Sequence, residues 1–143
     1  MICTFIGASS CNTLKLSDAL EYEIRKLIEC GISQFYNGGY GDFDILALKT
    51  VGKLKGEYPH IKSYIVLAYL TDKHVERMDS IAKHYGAETF YPFDQKVIPR
   101  FAILKRNEYM INSSDFIISH AGFGGSLTAL EYAIRKKKMI IYV

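Results

Sequence analysis

No apolar run in this chain approaches the ~20 residues that a membrane-spanning helix needs, so no membrane partner is expected. Neither sign of charge dominates. With 18 Lys and Arg against 15 Asp and Glu, the net charge of +3 is too mild to argue for nucleic acid as a partner. The one dense basic run, Arg135-Lys136-Lys137-Lys138, falls between a helix and a strand and reads as a solvated helix end. Cysteine is scarce and odd in number: Cys3, Cys11 and Cys30 make no disulfide framework, which fits a reducing cytoplasm. Cys11, in a glycine-containing loop, is the one thiol placed to be reactive. No His, Cys and Asp cluster has ligand spacing, so neither a metal nor another cofactor is expected. No G-x-G-x-x-G or G-x-x-x-x-G-K-[ST] string occurs, which removes support for a dinucleotide fingerprint and for a Walker A loop. Internal repeats, linkers and low-complexity segments are also missing. The sequence opens directly into a strand-like run, so no signal peptide is expected.

What is there is a chain of 143 residues, 49% hydrophobic and 23% charged. That suffices for one soluble globular domain burying roughly two-thirds of its unfolded surface. Strand-like runs alternate with helical spacing. Ile2 to Ile6 reads as the first strand, and Ser17 caps a helix to about Cys30 with Leu20, Ile24, Leu27 and Ile28 on one face. Ser33 to Tyr36 is a second strand. A helix then begins at Asp42 or Asp44, shows Ile45, Leu48, Val51 and Leu54 at helical spacing, and ends before Pro59. Tyr64 to Tyr69 is a third strand, continuously apolar and so central. A helix from about Val75 to Tyr85 and a short strand from Glu88 to Tyr91 follow. Next comes a helix from about Pro99 to Asn112, with Phe101, Leu104 and Tyr109 facing inward. A strand from Asp115, a helix to about Lys136 and a strand from Met139 to Val143 complete the pattern. Such alternation implies right-handed crossovers and an α/β fold with a mainly parallel sheet of about six strands and helices on both faces.

The stretch from Asp115 to Ser126 carries most of the chemistry. Phe116, Ile117 and Ile118 suit a strand covered on both faces. Gly122, Gly124 and Gly125 can take positive φ and let a ligand approach the main chain, while Ser126 is a good N-cap for the next helix. The exposed amides and the helix dipole behind them form an anion site. Two more loops follow strands on the same edge, Gly7 to Ser10 and Asn37 to Asp44. In such sheets ligands sit outside the carboxyl ends of the strands, where the strand order switches. His120 ends a strand at that edge; it reads as a satisfied structural histidine or as an acid, base or base-stacking donor. Arg106 reads as a surface arginine on an amphipathic helix or as a guanidinium fork for phosphate. Arg100 lies roughly 120° off Arg106's face and reaches the same pocket only from the helix start. Asp42 reads as a helix N-cap, and Asp44 as a first-turn residue favoured by the dipole.

These three loops carry a resemblance. Phe5-Ile6-Gly7-Ala8-Ser9-Ser10 resembles the F-x-G-S-S start of Lonely-Guy-type phosphoribohydrolases, and Tyr36-Asn37-Gly38-Gly39-Tyr40-Gly41 resembles their Y-G-G-G turn. Arg106, Met110, Asp115, Gly122, Gly125 and Ser126 fall without gaps on the R-x-x-x-M…D…P-G-G-x-G-T pattern. The span from Val97 to Asn107 is closer still to YpsA-like proteins of the wider SLOG superfamily. The likeness covers nearly the whole chain. It implies a Rossmann-like, doubly wound fold in a single domain, binding a nucleotide or nucleotide-derived small molecule, with N-glycosidic cleavage in some members. By position, Gly7, Ala8 and Ser9 would touch ribose or base. Gly38, Gly39, Gly122, Gly124, Gly125 and Ser126 would cradle a phosphate, with Arg106 pairing to it and Arg100 and His120 nearby. Related folds dimerise through helices, and the eleven Tyr and eight Phe permit a homo-oligomer here.

The departures from the pattern bear on chemistry. Ala129 occupies the position of the hydrolases' catalytic Glu. Glu131 lies two residues on, which turns it by roughly 200° on a helix. Ala121 replaces the family proline, Phe123 replaces a glycine, and Ala8-Ser9 stands where YpsA-like proteins carry His-Arg. Cleaving a glycosidic bond needs a carboxylate near the anomeric carbon, and Glu131 and Asp44 are the candidates. The leading expectation is therefore a binding module that senses or sequesters its ligand. The alternative is a nucleotide N-glycosidase using Glu131 or Asp44, and a third is a structural subunit with a vestigial pocket. Tyr40 or Phe123 could stack on a base.

Overall fold

Short runs rich in β-branched and aromatic residues pair as strands when longer amphipathic runs can cover both faces of the sheet. The computed structural model describes residues 1–143. Its elements are β1 (Ile2–Gly7), α1 (Thr13–Glu29), β2 (Gln34–Asn37), α2 (Gly41–Leu54), β3 (Lys62–Val66) and α3 (Asp72–His84). They continue with β4 (Glu88–Phe90), α4 (Pro99–Ser113), β5 (Phe116–His120), α5 (Gly124–Arg135) and β6 (Met139–Tyr142). All six strands are parallel, in the order β4-β3-β2-β1-β5-β6. This is the parallel α/β architecture that the alternation implied, in the doubly wound, Rossmann-like form that the resemblance implied. The winding reverses beside β1, where Thr4 pairs with Tyr36 of β2 on one side and Ile117 of β5 on the other. Loops leaving β1 and β5 diverge there and leave a crevice.

Alternation along the strands sorts the core into two layers. Cys3, Phe5, Phe35 and Ile118 pack under α1 and α2, and Leu48, Ile65 and Met78 continue that layer under α3. On the other face Ile6 and Ile117 meet Ile111 of α4 and Ala129 and Ala133 of α5. Thr4 ties α4 to β1: its Oγ1 donates to Met110 O at 3.1 Å. This tether sets the height of Arg106, one turn earlier on α4.

Three local expectations are corrected. Helix α1 starts at Thr13, four residues before Ser17, because Asn12 caps it by accepting Lys15 N–H at 3.1 Å. Strand β3 ends at Val66, short of Tyr69, because its neighbour β2 stops at Asn37, paired to Ile65. Helix α4 is rotated from its expected phase. Ala102, Arg106, Met110 and Ile111 are buried, whereas Phe101 and Leu104 are exposed. A charged residue in the middle of the inward stripe hid that stripe from a hydrophobicity reading. No helix is long and apolar enough to cross a membrane.

Candidate functional site

The loops after β1, β2 and β5 meet at the crevice, and glycines let them meet. A Cβ on Gly7 would overlap the Phe43 ring. Gly41 has φ +83°, and a Cβ there would stand 2.5 Å from Ser9 Cα. Asp42 N–H donates to Ser9 O at 2.9 Å, and the Asp42 carboxylate accepts Cys11 N–H at 3.2 Å. Asp42 is therefore a clamp between loops; the N-cap of α2 is Tyr40. Burial, with the same carboxylate adding to it, pushes the Cys11 thiol's pKa up, which disfavours the thiolate. Gly41→Ala is expected to lower the unfolding free energy by about 1–3 kcal/mol from backbone strain alone, measured by urea denaturation.

A cavity of about 220 Å³ opens where the loops converge. It brings together Gly7, Ser9, Gly38, Asp44, Arg106, Gly125 and Ser126 from the sequence-level candidates. Residues 38, 106 and 125 thus share one pocket. Ile103, Asn107 and Met110 of α4 also line it; Met110 belongs to the R-x-x-x-M match, but none of the three stood among the candidate site residues. The other candidates lie off its lining. Gly39 is buried at φ +73°, facing Met78 and Ile65. Ala8 donates its N–H to His120 O at 2.9 Å, linking the first loop to β5. Gly122 packs toward Ala8, and Gly124 takes φ +58° at the start of α5. His120 Nδ1–H donates to Val143 O at 2.8 Å and the ring stacks on Phe43, off the cavity lining. Arg100 is exposed over the Phe101 ring. Glu131 is exposed on α5 away from the cavity, because the helix keeps its register and Ala129 takes the inward position. The choice of Glu131 as a site carboxylate is corrected accordingly.

Arg106 is 3% exposed, which excludes the surface-arginine reading. Its Nη1 donates to Gly38 O at 3.2 Å and Val66 O at 3.0 Å, and Nε donates to Asn107 Oδ1 at 2.9 Å. These bonds leave the two Nη2 hydrogens without a protein acceptor. The guanidinium lies so close on Gly38 that a Cβ there would stand 2.7 Å from Cζ. Asp44, 8% exposed, accepts Tyr40 N–H at 3.2 Å. Burial pushes its carboxyl up to about 6, against the pull of Arg106 and of the N–H groups of Tyr40 and Gly38. Burial also lowers the guanidinium pKa, and Asp44 opposes that shift.

A carboxyl raised in the folded state holds its proton more tightly there than in the unfolded chain, where it titrates near ~3.9. The stability it contributes is complete below the unfolded value and is lost as pH rises to about 6. The gap corresponds to about 3 kcal/mol. Glu21 and Glu57, lowered by Lys53 and Arg25, act in the opposite direction. The difference between wild type and Asp44→Asn isolates the Asp44 part. Asp44→Asn is expected to gain stability relative to wild type between about pH 4 and pH 6, read from urea midpoints across that window.

The two glycine turns differ in what their main-chain donors bond to. In the turn after β2, Gly39 N–H goes to Asn37 Oδ1 at 2.8 Å, Tyr40 N–H to Asp44 and Asp42 N–H to Ser9 O. Those amides are spent inside the protein, so Gly38 and Gly39 supply close packing more than a cradle. The start of α5 is different. Phe123 is its N-cap and no side chain caps it. Ser126 is not the cap: its Oγ donates to Phe123 O at 3.0 Å and accepts Gly122 N–H at 3.4 Å. The amides of Gly124, Gly125 and Ser126 have no intrahelical acceptor. A Cβ on Gly125 would meet no heavy atom within 4 Å, so the main chain is open to the cavity. Phe123, 90% exposed, and Tyr40 stand at its rim. Tyr40 is held by stacking on His74, whose Nδ1 is 3.1 Å from its hydroxyl. No group of three or more His, Cys, Asp or Glu is placed to hold a metal ion.

No protein-family model matches the sequence, and no curated protein matches it either. Solved structures do. DNA processing protein A from Helicobacter pylori, described by its single-stranded DNA binding mode, superposes with a TM-score of 0.68 at 17% identity. That match covers 99% of this chain and 64% of the other. The protein TM1055 gives 0.63 at 14% identity, over 97% of this chain and 71% of its own. A molybdenum cofactor binding protein from the phototrophic bacterium Rippkaea orientalis gives 0.58 at 17% identity, over 99% and 74%. These likenesses, at 14% to 17% identity, show the Rossmann-like fold alone. One neighbour binds DNA, so they lend no support to excluding nucleic acid as a partner.

Proposed function

We propose, from this SLOG-type fold and the chemistry of its crevice, that the protein binds a small anionic molecule, a nucleotide or nucleotide-derived compound. One observation carries the reading: Gly125 and Ser126, whose amides have no intrahelical acceptor, and Arg106, whose Nη2 has no protein acceptor, line one cavity. Amides at a helix N-terminus and a guanidinium both favour a phosphate, and neither has to be reorganised to meet it. The volume of about 220 Å³ lies below the ~300–1,000 Å³ of whole-ligand pockets, so it holds a phosphate with a sugar-sized group. The base then extends to the rim, where Phe123 or Tyr40 can stack on it. Small-molecule binding by the cofactor-binding neighbour accords with this use of the fold. The test is a calorimetric panel of nucleoside monophosphates against the full chain. Micromolar binding of at least one supports the reading, and silence across the panel sinks it.

A second reading, N-glycosidic hydrolysis, has one observation in its favour. Asp44 is the sole carboxylate on the cavity, and a value near 6 suits a proton donor at neutral pH. Free base released from a bound monophosphate, and lost in Asp44→Asn, would establish it.

The binding reading includes a homo-oligomer. An apolar groove of about 200 Å³ between α4 and α5 shares Ile103, Asn107, Gly125 and Ala129 with the ligand cavity. Exposed Ile103, Leu104 and Leu127 are the apolar side chains a second copy would cover. Leu104→Asp is expected to convert a dimer to monomer in sedimentation velocity without loss of fold.

A further inference from the structure

The inference rests on the binding reading above and names what the same cavity selects. Asp44 and Arg106 are buried and line one cavity, yet they do not pair: no nitrogen–oxygen approach between them is within 4.0 Å. Arg106 spends its other donors on Gly38 O, Val66 O and Asn107, and Asp44 is held by Tyr40 N–H. A buried cation and a buried anion are thus presented side by side to whatever enters. A bare anion at the α5 amides and Nη2 would gain from the guanidinium and be repelled by the carboxylate, in a site too small to separate the two effects. An anion that carries a hydroxyl beside its charged group escapes this conflict. Its charge faces Nη2 and the amides, and its hydroxyl donates to the carboxylate, which turns a repulsion into a charge-assisted hydrogen bond.

We propose that Asp44 is a specificity-determining residue, which selects a hydroxylated phosphate, such as a sugar phosphate or a ribonucleotide, over the bare anion. Its role is discrimination rather than overall affinity. Asn at the same position keeps the size and still accepts Tyr40 N–H, but carries no charge. The substitution should therefore move the two kinds of ligand in opposite directions, a signature that a scaffold residue does not give.

The experiment is titration calorimetry of the full chain at about pH 8, wild type and Asp44→Asn, with methyl phosphate, which as a dianion carries no hydroxyl, and with ribose 5-phosphate. Wild type should bind ribose 5-phosphate at least ~10-fold more tightly than methyl phosphate, the worth of one charge-assisted hydrogen bond. In Asp44→Asn, methyl phosphate should bind more tightly than in wild type and ribose 5-phosphate more weakly. Asp44→Ser, which keeps an acceptor near Tyr40 N–H, serves as a second variant if the first is poorly folded. Shifts of both ligands in the same direction, or an unchanged ratio, would overturn the assignment of Asp44 while leaving the binding reading intact. No binding of either probe by wild type overturns the assignment, and the monophosphate panel then decides whether the binding reading falls with it.

Discussion

Arg106→Ala is expected to lower the unfolding free energy by about 3–5 kcal/mol, the cost of taking one partner out of a buried charged cluster. The guanidinium is the shared donor for Gly38 O, Val66 O and Asn107 Oδ1. Its loss leaves two carbonyl groups short of a partner and opens a void against Gly38. Asp44 also loses the cation that moderates its carboxyl, which then rises further. Lysine is no remedy, because one ammonium can replace Nη1 at Gly38 O and Val66 O but not the Nε bond to Asn107 or the Nη2 donors. Guanidinium chloride unfolding at pH 7 measures the effect. A loss below about 1 kcal/mol would mean that the arginine is placed for a ligand and contributes little to the fold. The expected loss of binding is complete, so the variant alone cannot apportion the two roles.

Gly125→Val makes that separation. It is expected to reduce affinity for a bound monophosphate by at least ~100-fold, as losing two hydrogen bonds to a charged group would. Stability should change by less than about 1 kcal/mol, since a Cβ at this position meets no heavy atom within 4 Å. The valine methyls would stand over the amides of the first turn of α5, in the space the anion needs. Gly7, on the same cavity, provides the contrast: any Cβ there would run into the Phe43 ring and the damage would fall on folding. Thermal denaturation together with calorimetry on Gly125→Val reads both quantities. Unchanged affinity would move the anion away from α5.

The architecture was legible because its signal is repetitive. Runs such as Ile2 to Ile6 and Phe116 to Ile118 have no use except as strands buried on two faces, and the helical spacing between them fixes the alternation. The site was legible only in outline. Three glycine-bearing loops at one edge pointed to the crevice, but which amides remain free depends on where the Asn37 and Asp44 side chains turn. Spacing does not encode that. Helix α4 failed for a related reason. Ala102, Arg106 and Met110 form its buried stripe, and a scale that reads arginine as outward rotates the helix to the wrong face. His120 bonds to Val143, a partner 23 residues away on the far side of α5.

The place of β1 has a consequence for biosynthesis. Made before the other five strands, it lies in the middle of the sheet, flanked by β2 and β5. Ile2 N–H bonds to Asp115, 113 positions along. While the ribosome is still making the chain between β2 and β5, one side of β1 has no strand to join and offers its backbone to any neighbour. That side of β1 therefore stays unpaired until β5 has been made, and β6 then adds outside β5.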